Sequence, residues 1–195
     1  MGLQIQRQKD VRVNRAFTHK LADIPNGVTV SAADLTQAVL AEGTPVGKDA
    51  ATGLFHVVKC AKLAANAADN ATTYVVKKGH NFKVADVIML GANKKAYAIT
   101  AIATNSDDAT CDNITVGTTL GVAATAGDPI YQAAAAGASG SAFKYEPVAL
   151  VGESYDVKAL SNHVVNAWTI GQVKESNIPF CGSEIKAKLA GIRFI

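Results

Sequence analysis

Four histidines, three cysteines and a scatter of carboxylates are what this 195-residue chain offers for chemistry. His19, His56, His80 and His163 share no ligand spacing, so no metal site is signalled. His56 falls inside an apolar strand-like run, and His80 sits at a turn where its ring can bond the backbone. Cys60, Cys111 and Cys181 are odd in number and far apart, which predicts buried reduced thiols. In the acidic stretch 105–113, Asp108, Thr110 and Asp112 alternate as oxygen ligands. No glycine or distal glutamate follows in the register of a calcium loop, so the stretch reads as a solvated hairpin loop. Gly152-Glu153-Ser154-Tyr155-Asp156 sets a serine among acids without the second glycine of a nucleophile elbow, and reads as a turn. No GxSxG, HExxH, GxxxxGK[ST] or GxGxxG is present. Spacing alone selects no carboxylate pair for glycoside hydrolysis. The expectation is a non-enzymatic protein without a cofactor or metal.

The elements that must position these residues are mostly strands. Residues 79–90, ending in Val87-Ile88-Met89-Leu90, continue through Gly91-Ala92-Asn93-Lys94-Lys95 into Ala96-Tyr97-Ala98-Ile99-Thr100-Ala101-Ile102. That is a strand, a turn and a return strand, with His80 and Asp86 shaping turns and Lys83 solvated. Gly127-Asp128-Pro129-Ile130-Tyr131 echoes Ala85-Asp86-Val87-Ile88-Met89. Each aspartate can fold back on its own backbone and launch a strand, as a small barrel of two similar halves would need. Further strands are expected at 28–30, 54–61, 72–78, 114–116, 142–145, 147–151, 164–173 and 185–195. In the last, Ile185, Ala187 and Leu189 alternate with Lys186, Lys188 and Ala190. One short helix is expected over 31–43, with Ser31 as cap, Asp34 in the capping-box position and Leu35, Ala38 and Val39 as its apolar face. Asn66, Asp69 and Asn70 make 62–71 a loop. The Ala/Gly/Ser run 133–142 reads as a linker or an exposed crossover.

The fold class is therefore mainly β: a small β-barrel with one short helix, an extended N-terminal arm and a C-terminal β segment. The divisions fall at 1–22 (arm), 23–132 (barrel), 133–142 (linker) and 143–195 (C-terminal segment). The abundance of alanine and scarcity of aromatics predict modest, close-packed side chains in place of a roomy pocket.

Charge is uneven. Residues 1–20 hold Arg7, Lys9, Arg12, Arg15 and Lys20 against Asp10 alone, a net +4, leaving −1 for the remainder of a chain whose total is +3. Such an arm could meet nucleic acid or an acidic protein surface. The few charges and the lack of an aromatic before Phe17 favour protein. The plain reading of 1–22 is a frayed terminus. The other is a clasp on a neighbouring subunit, since Ile5, Val11, Val13 and Phe17 are apolar enough to want a partner, with Arg7, Arg12 and Arg15 beside them. The closing Ile-Arg-Phe-Ile adds Phe194 and Ile195, which must tuck into a sheet or an interface. No apolar run approaches a membrane span, and the first residues resemble neither a signal peptide nor a myristoylation site.

Three segments carry a family resemblance. Glu42-Gly43-Thr44-Pro45-Val46-Gly47-Lys48 with Ala51-Thr52-Gly53-Leu54-Phe55 is similar to the entry of phage head decoration domains. The stretch 79–90 with 97–102 and 127–131 resembles the small barrel of phage head and fibre proteins. The closing Ala167-Trp168-Thr169-Ile170-Gly171-Gln172-Val173-Lys174-Glu175 with Leu189-Ala190-Gly191-Ile192-Arg193-Phe194-Ile195 resembles a terminal segment of structural proteins from phages of gut Bacteroidetes. The chain departs from the pattern at Ala85, where glycine is usual before Asp, and in lacking a fibrous repeat after the barrel. The resemblance implies a tailed-bacteriophage auxiliary capsid (head decoration) protein, made in the host bacterial cytoplasm and seated on the capsid exterior. It implies the major capsid protein as partner, reinforced contacts between capsomers, and a homotrimer. A head-fibre base or a carbohydrate-binding adhesion module on the virion is the alternative.

Overall fold

The computed structural model describes residues 15–91, 94–158 and 161–195. The chain is mainly β, as its composition and turn signals predict. It begins with β1 (Phe17–Asp23), β2 (Val28–Val30), β3 (Val39–Leu40), β4 (Pro45–Lys48) and β5 (Phe55–Val57). Next come β6 (Cys60–Lys62), β7 (Thr73–Lys77), β8 (Val87–Leu90), β9 (Ala96–Thr104), β10 (Cys111–Val116) and β11 (Pro129–Gln132). The chain ends with β12 (Pro147–Val151), β13 (Tyr155–Asp156), β14 (His163–Val165), β15 (Ala167–Val173), α1 (Ser183–Lys188) and β16 (Ile192–Phe194).

The middle group forms one six-stranded sheet in the order β6-β11-β8-β9-β10-β7. The sheet curls until its edge strands meet at a Leu63–Val76 bridge, where the Ala64 N–H donates to the Val75 carbonyl at 2.8 Å. Leu63, Tyr74, Val76, Ile88, Ile99, Ile114, Leu120 and Ile130 fill the interior. Burying a large aliphatic side chain of this kind contributes roughly 1.5–3 kcal/mol. The hairpin expected at 87–102 is present, with Val87 opposite Ala98 and Met89 opposite Ala96. Residues 79–86, read as part of its first strand, instead form the turns that lead into β8.

Strands from both ends of the chain build a second sheet, ordered β1-β15-β12-β4-β5-β2-β14, with β16 lying parallel to β15. The curled sheet is thus an excursion between two halves of the larger one. This cuts differently from the sequence-based division at 23, 133 and 143, because β2, β4 and β5 belong with the C-terminal strands. The run 54–61, expected as one strand, breaks at Val58–Lys59 and sends β5 to one sheet and β6 to the other. The stretch 133–142, expected as a linker or exposed crossover, is mostly exposed but is tied down at points: Ala133 is buried and bridges Phe143, and Gly137 bridges Ala96.

The expected helix and the expected last strand both fold differently. Ser31 does cap a turn, its Oγ accepting the Ala33 N–H, but only a 3-10 turn at Ala32–Asp34 forms. The residues that would extend it pair instead, Val39–Leu40 with Tyr155–Asp156. The helix of the structure is α1, inside the expected last strand. Ile185 and Leu189, spaced i and i+4, are both buried while Ala187 is exposed, so the helical period wins over the alternation. The long strand expected over 164–173 is likewise two strands, parted at Asn166.

Candidate functional site

The residues expected to meet a partner divide into three sets. Ile5, Val11, Val13, Arg7 and Arg12 lie outside the described residues. Phe17 is not available to a partner: it is 7 % exposed within the chain's own core and sits opposite Val173 in the β1–β15 ladder. Segment 17–22, read as part of an arm with nothing local to pair with, is strand β1. Sequence could not supply its partner, which lies 150 residues further on. Arg15 is exposed, and its carbonyl accepts a hydrogen bond from Asn177 Nδ2 at 3.0 Å. Phe194 is half-buried under the Lys186 ammonium, and the Ile195 N–H donates to the Val173 carbonyl at 2.9 Å, so the backbone of the C-terminus joins the chain's own sheet while the Ile195 side chain stays exposed.

The root of β1 is held by Glu42, the first residue of the E-G-T-P-V-G-K segment. Its buried carboxylate accepts the N–H groups of Ala16 at 2.9 Å and Phe17 at 3.3 Å, with Lys20 Nζ at 3.9 Å. Gly43 has φ +80°, and a Cβ there would overlap the Ile178 side chain. A Cβ on Gly47 would overlap the Glu146 carbonyl oxygen. The segment is thus a clamp and two close approaches. Beyond Ala16, β1 runs along the rim of the larger sheet with residues 18–21 exposed. Leu21, 74 % exposed, lies at a bulge beside the Ala22–Ile170 pair, and Ile170 is also exposed.

A second feature lies where the two sheets meet. Lys59, at the break between β5 and β6, is 2 % exposed. Its Nζ donates to Asp86 Oδ2 at 2.8 Å and stands 3.5 Å from Asp34 Oδ1. Asp86 Oδ1 accepts from Gln132 Nε2 at 2.8 Å, and Oδ2 also accepts the Lys83 N–H at 2.9 Å. Asp34 Oδ2 is hydrogen-bonded to His56 Nδ1. The His56 ring stacks on Tyr145 at 4.1 Å, and its Nε2 faces Asp49 Oδ2 at 3.9 Å. Hydrogen bonds from the Ala51 N–H and the Thr52 hydroxyl hold the Asp49 carboxyl below its usual range. Burial pushes the Tyr145 hydroxyl up. The sequence points to His56 and Asp86 singly and to Asp34 only as a capping-box residue, whereas the structure turns Asp34 toward His56 and Lys59. Lys59 and Gln132 belong to no motif of the sequence. A lysine inside an otherwise apolar β run was the one available signal.

The other candidates resolve into structure. Asp108 accepts the Thr110 N–H and hydroxyl and the Cys111 thiol and pairs with Lys77, which together drive its carboxyl far down. Among the described residues no group of three or more His, Cys, Asp and Glu is placed to hold a metal ion. Ser154 Oγ accepts the Glu42 N–H, whereas His163 Nε2 accepts the Lys158 N–H, so the two serve different turns. The cysteines are free and buried, with burial pushing the Cys181 thiol up to about 12. Contrary to the expectation of no roomy pocket, a cleft of about 480 Å³ opens between the sheets, lined by Lys62, Lys78, His80, Leu40 and Phe180 among others. No helix is long and apolar enough to cross a membrane among the described residues. No protein-family model, curated protein or solved structure matches this chain.

Proposed function

We propose that this chain is a virion structural protein of a tailed bacteriophage, an auxiliary protein that seats on the capsid exterior and reinforces contacts between capsomers. The observation that carries the reading is the rim strand β1. It is exposed over residues 18–21, anchored at its root by Glu42, and continuous with the basic segment that precedes it. A rim strand presents unpaired backbone groups that a neighbouring chain can extend by strand addition. Leu21 and Ile170 place apolar surface beside it. The resemblance of residues 42–48 with 51–55, 79–90 with 97–102 and 127–131, and 167–175 with 189–195 to phage head proteins supplies the partner, the major capsid protein, and the trimeric state. Repetition over a symmetric shell would multiply a modest contact many times.

The reading is tested by adding purified protein to heads that lack it and sedimenting the mixture. Saturable binding at a symmetric copy number is expected, and Leu21→Asp with Ile170→Asp should weaken it at least tenfold while the free protein keeps its circular dichroism. Heads that sediment without the protein overturn the assignment.

A further inference from the structure

The seam holds more than an ion pair. A buried amine lies 2.8 Å from a carboxylate oxygen, and a second carboxylate stands 3.5 Å from the same nitrogen. We propose that Lys59 and Asp86 are the site of an intramolecular isopeptide bond, formed autocatalytically in the folded chain. Lys59 is the nucleophile, Asp86 the electrophile, Gln132 the donor to the developing oxyanion, and Asp34, oriented by His56, the proton carrier. This inference does not depend on the capsid reading.

The chemistry balances within the site. Transfer of one proton from Lys59 Nζ to Asp86 Oδ2, along their hydrogen bond, leaves a neutral amine facing a carboxylic acid. No net charge moves. The nitrogen lone pair then attacks Asp86 Cγ, and the carbonyl electrons move onto Oδ1, where the Gln132 Nε2–H already donates at 2.8 Å. Asp34 Oδ1 takes a second proton from the nitrogen and returns it to Oδ2, which departs as water while the C–N bond becomes an amide. One proton stays on nitrogen and two leave with one oxygen, so no oxidant, reductant or activating group is required.

Three features favour this over a salt bridge alone. The Lys59 side chain is 1 % exposed and that of Asp86 12 %, so bulk water that would solvate the ammonium is held away from the amine. Both reacting groups are fixed. The β5–β6 break sets Lys59, and the Lys83 N–H and Gln132 hold both oxygens of Asp86, so the entropic cost of encounter is met by folding. Finally, a structural pair needs one carboxylate, whereas this amine faces two, and the second is coupled to an imidazole stacked on Tyr145. The bond would tie the junction of the two sheets to the turn that launches β8.

Intact mass of the full chain, measured after denaturation, tests the proposal. The expected mass is below the sequence mass by one water, about 18 Da. A tryptic digest should yield residues 49–62, uncut at Lys59, joined to residues 84–94. Lys59→Arg and Asp86→Ala should each run at their own sequence masses. Asp34→Asn should slow formation by roughly 100-fold. Folded wild-type protein that keeps the full sequence mass after prolonged incubation overturns the proposal. So does a water loss that maps elsewhere, including to Asp34 as the acyl partner.

Discussion

Two turns of this protein share a local design and differ in what surrounds them. In Lys83-Val84-Ala85-Asp86 the aspartate accepts the Lys83 N–H at 2.9 Å, and in Thr125-Ala126-Gly127-Asp128 it accepts the Thr125 N–H at 2.7 Å. Each has a positive φ just before the aspartate, +74° at Ala85 and +106° at Gly127. Each then launches a strand, β8 or β11, and the two strands are antiparallel neighbours. Beyond that the turns part. Asp128 spends its carboxylate on Thr125 alone, by N–H and hydroxyl, whereas Asp86 faces buried Lys59 and Gln132. The local sequence makes the turn, and the neighbouring sheet decides whether its carboxylate is a cap or a partner in chemistry.

The comparison can be broken at several points. Asp86→Ala should destabilise by at least about 3 kcal/mol, since it strips a buried ammonium of its closest partner. Asp128→Ala should cost only about 1 kcal/mol, the worth of a turn hydrogen bond. Urea denaturation of both variants reads the gap, and equal losses would remove the distinction drawn here. Next in size, Gly127→Ala should cost about 1–2 kcal/mol by forcing a side chain into the left-handed region. At the equivalent position the sign reverses: Ala85→Gly should stabilise by about 0.5–1 kcal/mol, the relieved strain less the added chain entropy. A loss of stability at Ala85→Gly would mean that the methyl group packs usefully.

The smallest effect concerns His80, which opens the stretch leading to the Asp86 turn. Burial lowers its pKa, opposed by Asp112 Oδ2 at 3.4 Å. The unfolded chain therefore takes up its proton first as pH falls. Stability is fully present above about pH 6.5, the ordinary histidine value, and declines below it. Denaturation midpoints at pH 7.5 and 5.5 should differ, and His80→Gln should narrow the difference. An unchanged slope would assign the decline to other groups.

Legibility followed sequence separation. The echo of 85–89 in 127–131 and the hairpin of β8 and β9 both arise within a few residues, where chain geometry leaves few choices. Even the oddity of Ala85 was visible, and the structure gives it the strained φ that a glycine would relieve. The short helix was misplaced because 31–43 carries a cap and an apolar face, whereas 185–190 also alternates as a strand would. Pairing of Val39–Leu40 with Tyr155–Asp156 in one case, and burial of Ile185 with Leu189 in the other, decided between them.

By itself the sequence determined a mainly β chain with turn-launched strands, reduced buried thiols and a basic N-terminal segment. Those properties follow from alternation, turn residues and composition, each of them local. The tertiary structure alone decided that β1 joins β15, that Phe17 is core, and that Lys59, Asp34, Asp86, His56 and Gln132 converge at one seam. These residues are scattered between positions 34 and 132. Only the pairing of distant strands brings them together, and a buried charge declares its role only once its partners are in place.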